Sequence, residues 1–296
     1  MDLFGKVKDY GSDFTTYPLT FEKYKWYKPL LVGILTGIFF FIFSFILYGI
    51  VEMMFPGIGQ QFQNFDEVAR AGFDSIIGVV TSIELALLIP ALYLATRVVK
   101  DRPFSSYLSS VKWDWPIFAR SFAVVAAVYF IINLLQIIFD GSVQFDFKLT
   151  WMALLAILII TPFQCFAEEL IFRGWLMQTV GSWIKVPVVA IIIQGVIFSY
   201  IHQQYNLFAL LSVIFTGIIV LPGLTWYSRG LEASTAFHTV NNIFSFIFAG
   251  ITVQGVVNNL SLVDGLFAVV SVAIPWIVLI LIDRKFGWVG LRRVAD

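Results

Sequence analysis

Long runs of apolar residues constrain the fold of this chain more than any other feature. The first run extends from Pro29 to Val51 without a charged residue. A helix needs about 20 predominantly apolar residues to cross the hydrocarbon core of a bilayer, so this run is long enough to span a membrane. It is also too long and too far from the N terminus to be the apolar core of a signal peptide. We therefore expect a retained transmembrane helix.

The composition extends this expectation to the whole chain. Hydrophobic residues make up 59% of the 296 residues and charged residues 13%, against roughly 25% charged residues in soluble domains. A soluble fold would have too little polar surface to cover itself. We predict an all-α polytopic membrane protein, a bundle of about eight transmembrane helices. The predicted spans are 29 to 51, 75 to 96, 117 to 139, 149 to 167, 187 to 201, 207 to 227, 233 to 250 and 265 to 282.

The pattern divides the chain into one membrane domain and two short flanks. Residues 1–28 mix lysines with aromatic side chains, which is typical of an arm lying at the level of the lipid headgroups. Residues 29–283 form the predicted transmembrane domain, and residues 284–296 form a cytoplasmic tail. No soluble domain is expected.

Basic residues predict the orientation of the bundle. With eight spans both termini share one side, and 17 of the 19 Lys and Arg residues fall in the loops on that side, Arg173 among them. The opposite side has only Arg70 and Lys148. The positive-inside rule then places both termini in the cytoplasm, and we expect the plasma membrane of a prokaryote. The formal net charge is zero, so no nucleic-acid partner is expected.

Ionisable side chains inside predicted spans are the candidate functional residues. Each costs about 2.5 to 3.5 kcal/mol on insertion scales, so a cluster of them indicates a functional site. The chain has only two histidines, and both lie in apolar stretches downstream of a paired acid. Three short motifs contain the candidate residues: Glu168, Glu169 and Arg173 in the first, Phe198 and His202 in the second, and His238 and Asn242 in the third.

Helical spacing predicts which residues of these motifs lie on the same face of a helix. Residues four apart share a helix face, so Arg173 is expected to neutralise Glu169. That pairing leaves Glu168 available for chemistry. Three helices would then direct Glu168, His202, His238 and Asn242 into one cavity.

Two kinds of chemistry fit these residues. A carboxylate in a low-dielectric cavity can take a proton from water, and His and Asn donors can stabilise the oxyanion of peptide hydrolysis. Alternatively, Glu168, His202 and His238 would supply three ligands of a catalytic zinc ion. The chain has no His-Glu-x-x-His helix, and we favour metal-free acid–base catalysis.

The three motifs in this order resemble the CPBP intramembrane proteases, the Abi group that includes the CAAX prenyl endopeptidase. The resemblance covers roughly residues 149–250. It implies that Glu168 activates water with His202 as its partner, and that His238 and Asn242 are the oxyanion donors. Glu169, Arg173 and Phe198 would complete the motif.

The resemblance implies an endopeptidase that cleaves a membrane-associated peptide or a lipidated protein, by CAAX-type or bacteriocin-leader-type processing. The family is traditionally labelled metalloprotease, although a glutamate-dependent mechanism has been argued. Two other classes stay open. A non-catalytic membrane scaffold or bacteriocin self-immunity protein would not need Glu168, and a proton-coupled transporter would also bury Glu and His.

Two further expectations concern depth and the remaining polar residues. If the fourth and fifth spans form a hairpin turning near Lys185, Glu168 and His202 lie at equal depth. The fourth helix must then continue past Arg173 towards Gly181, with Pro162 permitting a bend. Cys165 is expected to be a packing residue. Three other polar residues are expected to form interhelical hydrogen bonds, with lining of the cavity as the alternative, namely Glu84, Asn133 and Gln136.

Overall fold

The computed structural model describes residues 3–63, 71–139, 145–147, 149–202, 207–251 and 261–292. Three of the basic residues counted for orientation, Arg70, Lys148 and Arg293, lie outside these ranges. Every helix or strand assigned in the described ranges is a helix. The chain is therefore an all-α protein across this part of its sequence, as predicted.

Eight long helices occupy the eight predicted spans. They are α1 (Lys28–Met54), α2 (Ile76–Val99), α3 (Trp115–Phe139), α4 (Trp151–Ile184), α5 (Pro187–Tyr200), α6 (Phe208–Ser228), α7 (Glu232–Ile251) and α8 (Leu262–Phe286). Six of them are long and apolar enough to cross a membrane. The other two are α5, which has 14 residues, and α7, which is more polar. These findings confirm a polytopic integral membrane protein.

Three of the described helices end in a left-handed residue other than glycine, and all three of these residues are basic. Lys100, Lys185 and Arg229 have φ angles of 53°, 63° and 61° and follow α2, α4 and α6 respectively. Left-handed backbone is costly for residues other than glycine. A basic side chain is nevertheless favourable at this position, because the C-terminal end of a helix dipole is negative.

One end of the bundle, here called the terminal end, gathers the N-terminal arm and the turns after α2, α4, α6 and α8. The amide of Val7 donates to the carbonyl of Lys185 at 2.8 Å, and the amide of Ser110 donates to that of Arg229 at 2.9 Å. At the other end, the amide of Leu149 donates to the carbonyl of Gly250 at 2.9 Å. These contacts give the bundle an up-and-down order.

Helix α4 is much longer than its predicted span of 149 to 167. It runs from Trp151 to Ile184 with Pro162 inside it, which confirms that it continues past Arg173. Arg173 therefore lies within a helix, and counting it as a loop charge was wrong. Residues Leu170–Met177 form a π-helical segment, a feature that spacing in the sequence does not reveal. Such segments occur frequently at functional sites.

Two glycines allow α5 and α6 to touch. A methyl group added to Gly195 would lie 2.8 Å from the carbonyl oxygen of Gly217, and one added to Gly217 would lie 2.6 Å from the ring of Phe198. Any side chain at either position would force the helices apart. The close contact fixes the end of α5, where His202 follows.

The buried apolar residues form two main clusters on either side of the α4–α7 contact. One cluster contains residues of α3, α6, α7 and α8, among them Phe237 and Leu224. The other contains residues of α1, α2, α4 and α5, among them Leu92 and Leu170. Helices α4 and α7 pack against each other between these clusters. The polar residues of the motifs lie at this junction.

Candidate active site

The paired acids lie at the transition of α4 from α-helical to π-helical geometry. Glu168 and Glu169 are the last α-helical residues before the π segment that begins at Leu170. Both side chains are buried. A buried carboxylate is costly unless it is paired or hydrogen-bonded, so the partners of each acid indicate its role.

Glu169 is neutralised, as predicted, by a fully buried arginine. Nη1 of Arg173 lies 3.0 Å from Oε1 of Glu169. The same Oε1 atom lies 2.9 Å from Nδ1 of His238 on α7. Because a carboxylate paired with a guanidinium can only accept hydrogen bonds, Nδ1 of His238 is the donor. Glu169 thus fixes both the tautomer and the orientation of that imidazole.

Glu168 has a different environment. Its Oε1 atom accepts a long hydrogen bond of 3.4 Å from Nε2 of Gln164, one helical turn away. Its Oε2 atom is buried and has no hydrogen-bond partner among the described residues. Nε2 of His238 lies 3.9 Å from this oxygen, too far for a direct hydrogen bond. A water molecule that contacts both atoms fits this spacing.

His202 follows the end of α5 and is partly buried. Its Nδ1 atom lies 2.7 Å from the carbonyl oxygen of Phe198. Since a carbonyl accepts, Nδ1 carries the proton and Nε2 is the basic nitrogen. The imidazole also packs on the Phe198 ring, with centroids 4.5 Å apart. Phe198 therefore orients His202 through both its backbone and its side chain.

A single cavity of about 620 Å³ contains all four residues assigned to chemistry by the sequence. Glu168 comes from α4, His202 from the end of α5, and His238 and Asn242 from α7. Phe198 also lines the cavity, whereas Glu169 and Arg173 lie behind it. The remaining polar wall includes amide and hydroxyl groups of Asn133, Gln136, Gln164, Asn241, Ser212 and Thr216.

Asn242 is oriented by its neighbour in the chain. Nδ2 of Asn241 donates to Oδ1 of Asn242 at 3.1 Å, and the hydroxyl of Tyr129 donates to Oδ1 of Asn241 at 2.6 Å. The Asn242 carbonyl is therefore occupied. Its Nδ2 group is a donor that makes no hydrogen bond within the described residues and lines the cavity.

The other polar residues of the predicted spans differ in their positions relative to the cavity. Glu84 accepts a hydrogen bond from Tyr48 on α1, which confirms an interhelical role. Asn133 instead donates to the carbonyl of Tyr129 on its own helix at 2.8 Å. Asn133 and Gln136 both line the cavity, which confirms for these two residues the alternative to an interhelical hydrogen bond. Cys165 is fully buried, and its thiol lies next to the imidazole of His238.

The sequence interpretation missed three residues that support the site: Gln164, Asn241 and Tyr129. The spacing of Gln164, four residues before Glu168 on the same helix, was a usable signal. Asn241 and Tyr129 belong to different helices, and their contact depends on how α3 and α7 pack. Spacing within one helix carries no information about that packing.

The described side chains do not assemble a three-ligand metal site. Glu168 and His238 bring two donor groups near each other, but no group of three His, Cys, Asp or Glu side chains in the described ranges is arranged to hold a metal ion. Nδ1 of His202 and Nδ1 of His238 are engaged by a carbonyl and a carboxylate respectively. Contacts of this kind on Nδ1 orient the imidazole in acid–base sites and in metal sites alike.

Comparison with known proteins finds a family similar to the part of the chain that supplies Glu168, His202, His238 and Asn242 to the cavity. Residues 150–244 match the Rce1-like family, described as type II CAAX prenyl endopeptidase Rce1-like. The chain is also 29% identical to the uncharacterized protein YyaK of Bacillus subtilis (strain 168) over 176 residues. That similarity covers 54% of this chain and 57% of YyaK, so the chain spans little more than half of this relative. No solved structure is significantly similar to the chain.

The matched region contains the π segment of α4 and the Glu169–His238 hydrogen bond. Its helices lie within a bundle that has six membrane-spanning candidates. The chain is thus an integral membrane protein, and its residues 150–244 are similar to the Rce1-like family, described as type II CAAX prenyl endopeptidase Rce1-like.

Proposed function

We propose that this protein is an intramembrane endopeptidase in which Glu168 activates the attacking water. The observation that supports this proposal most strongly is the contrast between the paired acids. Glu169 is occupied by Arg173 and His238. Glu168, on the wall of the cavity, keeps one buried oxygen that has no hydrogen-bond partner among the residues that the structure describes.

Water bound between Glu168 and the imidazoles would be the nucleophile. Its oxygen attacks the carbonyl carbon of the peptide bond while Glu168 takes one of its protons. When the C–N bond breaks, this proton passes to the departing amine nitrogen. His202, whose basic nitrogen is Nε2, is proposed to orient the water as the partner of Glu168.

His238 and Asn242 are proposed to stabilise the oxyanion. Glu169 accepts a hydrogen bond from Nδ1 of His238, and in the imidazolium form Nε2 of His238 would also be a donor. Nδ2 of Asn242 supplies the second donor from the same face of α7. Each well-placed donor of this kind is worth about 3 to 4 kcal/mol in the transition state.

The substrate is proposed to be a membrane-associated peptide or protein, processed at a CAAX-type or bacteriocin-leader-type site. The cavity wall supports a peptide ligand, because its side-chain amides can pair with a peptide backbone. Asn133, Gln136, Gln164 and Asn241 supply both donors and acceptors. Phe244, Phe246 and Phe267 add apolar surface for side chains or a lipid group.

The direction of the cavity supports access from the end opposite the termini. On the terminal side of Glu168, the packing is closed by fully buried side chains such as Leu170, Tyr107 and Leu231. In the other direction, the lining reaches Gln136 and Phe248 near the far ends of α3 and α7. With the termini in the cytoplasm, as the basic residues predict, the substrate would enter from the extracytoplasmic side. This direction favours a leader-bearing peptide over a cytoplasmic prenylated tail.

The test is hydrolysis by purified protein reconstituted in lipid nanodiscs. Prenylated peptides and leader-bearing peptides are supplied separately, and products are identified by mass spectrometry. We expect Glu168→Gln to lower the rate by about 10²–10⁴-fold, which is the usual contribution of a positioned general base. His202→Ala is expected to lower it by a smaller factor.

Glu84→Gln is the matched control, because Glu84 is another glutamate within a membrane helix and does not line the cavity. It should cleave at the wild-type rate. Equal cleavage by Glu168→Gln and wild type would remove Glu168 from the mechanism. If no peptide is cleaved and an immunity phenotype survives Glu168→Gln, the scaffold alternative is correct.

A further inference from the structure

A second cavity lies at the terminal end, away from the Glu168 cavity. Its volume is about 550 Å³, and it shares no lining residue with the first. Three segments form it: residues 21 to 23 of the N-terminal arm, the last turns of α2, and residues 100 to 104. We call it the basic cleft, because four of its lining residues are basic: Lys23, Arg97, Lys100 and Arg102.

Three of these cations have no internal counterion. Lys23, Arg97 and Lys100 make no ion pair and no side-chain hydrogen bond with any described residue. They lie at the exposed mouth of the cleft. Glu22 is the one acidic residue exposed beside them in the lining, so the mouth carries an excess of positive charge.

The floor of the cleft is rigid and already balanced. Arg102 is buried, stacks on the ring of Tyr107 at 3.5 Å, and donates to Gln178 of α4. Its Nε atom lies 3.6 Å from Asp101, which also accepts a hydrogen bond of 3.1 Å from the Tyr107 hydroxyl. Burial raises the pKa of Tyr107 to about 12, so this hydroxyl stays a donor. Asp101 is thus compensated from within, and the Nε atom of Arg102 has no hydrogen bond.

The cleft adjoins a surface suited to acyl chains. On α2, the side chains of Tyr93, Leu94 and Val98 are exposed. They form an apolar face that ends where Arg97 and Lys100 begin. A bound lipid would therefore keep its chains on α2 while its headgroup entered the cleft. A free anion would gain nothing from this face.

We propose that the basic cleft binds the phosphate of an anionic phospholipid headgroup. Phosphate oxygens match the chemistry of Arg97 and Lys100 at the mouth, and Arg donors bind phosphate in a bidentate manner. Basic pockets between membrane helices on the cytoplasmic side have this function in other proteins. Free inorganic phosphate has the same chemistry, and the experiment must separate the two sources.

Native mass spectrometry of the detergent-solubilised full chain provides the test. Phosphatidylglycerol, phosphatidylcholine and inorganic phosphate are added separately to the protein. We expect wild type to retain phosphatidylglycerol in preference to phosphatidylcholine. The double variant Arg97→Gln/Lys100→Gln should bind phosphatidylglycerol at least about tenfold more weakly, given the contribution of each basic residue near an anionic headgroup.

Arg284→Gln/Lys285→Gln is the matched control. It removes one Arg and one Lys from the end of another helix, α8, at the same terminal end. This variant should retain the lipid as wild type does, and thermal denaturation should show that both variants are folded. Equal losses in both variants would indicate nonspecific charge attraction and overturn the proposal. Displacement of phosphatidylglycerol by equimolar inorganic phosphate would also overturn it, in favour of a small-anion site.

Discussion

His238 and Glu169 are joined by a hydrogen bond of 2.9 Å between Nδ1 and Oε1, deep in the contact of α7 with α4. The motif arginine, Arg173, approaches the same oxygen. The helical spacing predicts only that Arg173 neutralises Glu169. In the structure, Glu169 also orients the imidazole of His238, which lines the cavity. Glu169 therefore makes the direct hydrogen bond to His238, whereas Glu168 lies too far from this imidazole to do so.

The buried Arg173–Glu169 pair predicts a specific pattern of stability. Arg173→Met should destabilise the protein by about 3–5 kcal/mol, because it leaves a buried carboxylate without its counterion. The double variant Arg173→Met/Glu169→Gln should recover part of this loss, since no unpaired charge remains. Denaturant unfolding in mixed micelles measures the difference. Additive losses in the double variant would contradict the coupling of the two residues.

Asn242 predicts a selective loss in the chemical step. Asn242→Ala should lower kcat by about 10²–10³-fold with little change in KM, because an oxyanion donor acts mainly in the transition state. Asn133→Ala is the control, as it removes another amide from the same cavity wall. If Asn133→Ala lowers kcat as strongly as Asn242→Ala, the oxyanion role is wrong.

The buried position of Cys165 predicts that thiol-reactive reagents do not inhibit the protein. Cys165 lies three residues before Glu168 but is fully buried in the packing of α4. Cys165→Ala should cleave at close to the wild-type rate, and thiol-alkylating reagents should not inhibit the wild type, because a buried structural cysteine is inert. An inactive but folded Cys165→Ala variant would reopen the question of a thiol nucleophile.

Metal removal should leave hydrolysis unchanged. The described ranges contain no three-residue metal site, and Glu168 and His238 alone supply two donors. We expect dialysis against a chelator, followed by assay in nanodiscs, to give the untreated rate. Added zinc should not raise that rate. Loss of activity on chelation with recovery on zinc addition would instead restore the metalloprotease alternative.

The direction of the cavity predicts which face of the membrane is cleaved. In right-side-out vesicles, a leader-bearing peptide added outside should be hydrolysed, whereas inside-out vesicles should leave it intact. Protease protection of a tag at each terminus establishes the orientation in the same preparation. Cleavage by inside-out vesicles alone would place substrate access at the terminal end, while leaving the role of Glu168 intact.

The sequence predicted those parts of the site that depend on spacing along one helix. The Glu169–Arg173 pair and the continuation of α4 follow from the helical repeat and from an equal-depth hairpin, and the structure has both. The hydrogen bond between Glu169 and His238 does not follow, because it depends on the register between α4 and α7. The π segment was likewise missed, since no residue in Leu170–Met177 forbids an ordinary α-helical turn.

The basic cleft escaped the sequence interpretation for a related reason. Lys23 and Arg97 are more than 70 positions apart, and only the fold brings the arm against α2. In the sequence these residues contributed solely to the count of positive charge on one side. Their proximity depends on how the helices pack, and so does the grouping of side-chain amides around Glu168.

The left-handed caps at Lys100, Lys185 and Arg229 place the end of a helix and a basic residue at the same position. Glycine would lower the conformational cost of the left-handed backbone at these turns, and it is the residue most often found at this position. It would also delete a cation that the positive-inside rule counts when it predicts the orientation of the bundle. Glycine variants at these turns would therefore gain local conformational ease and lose fidelity in membrane orientation.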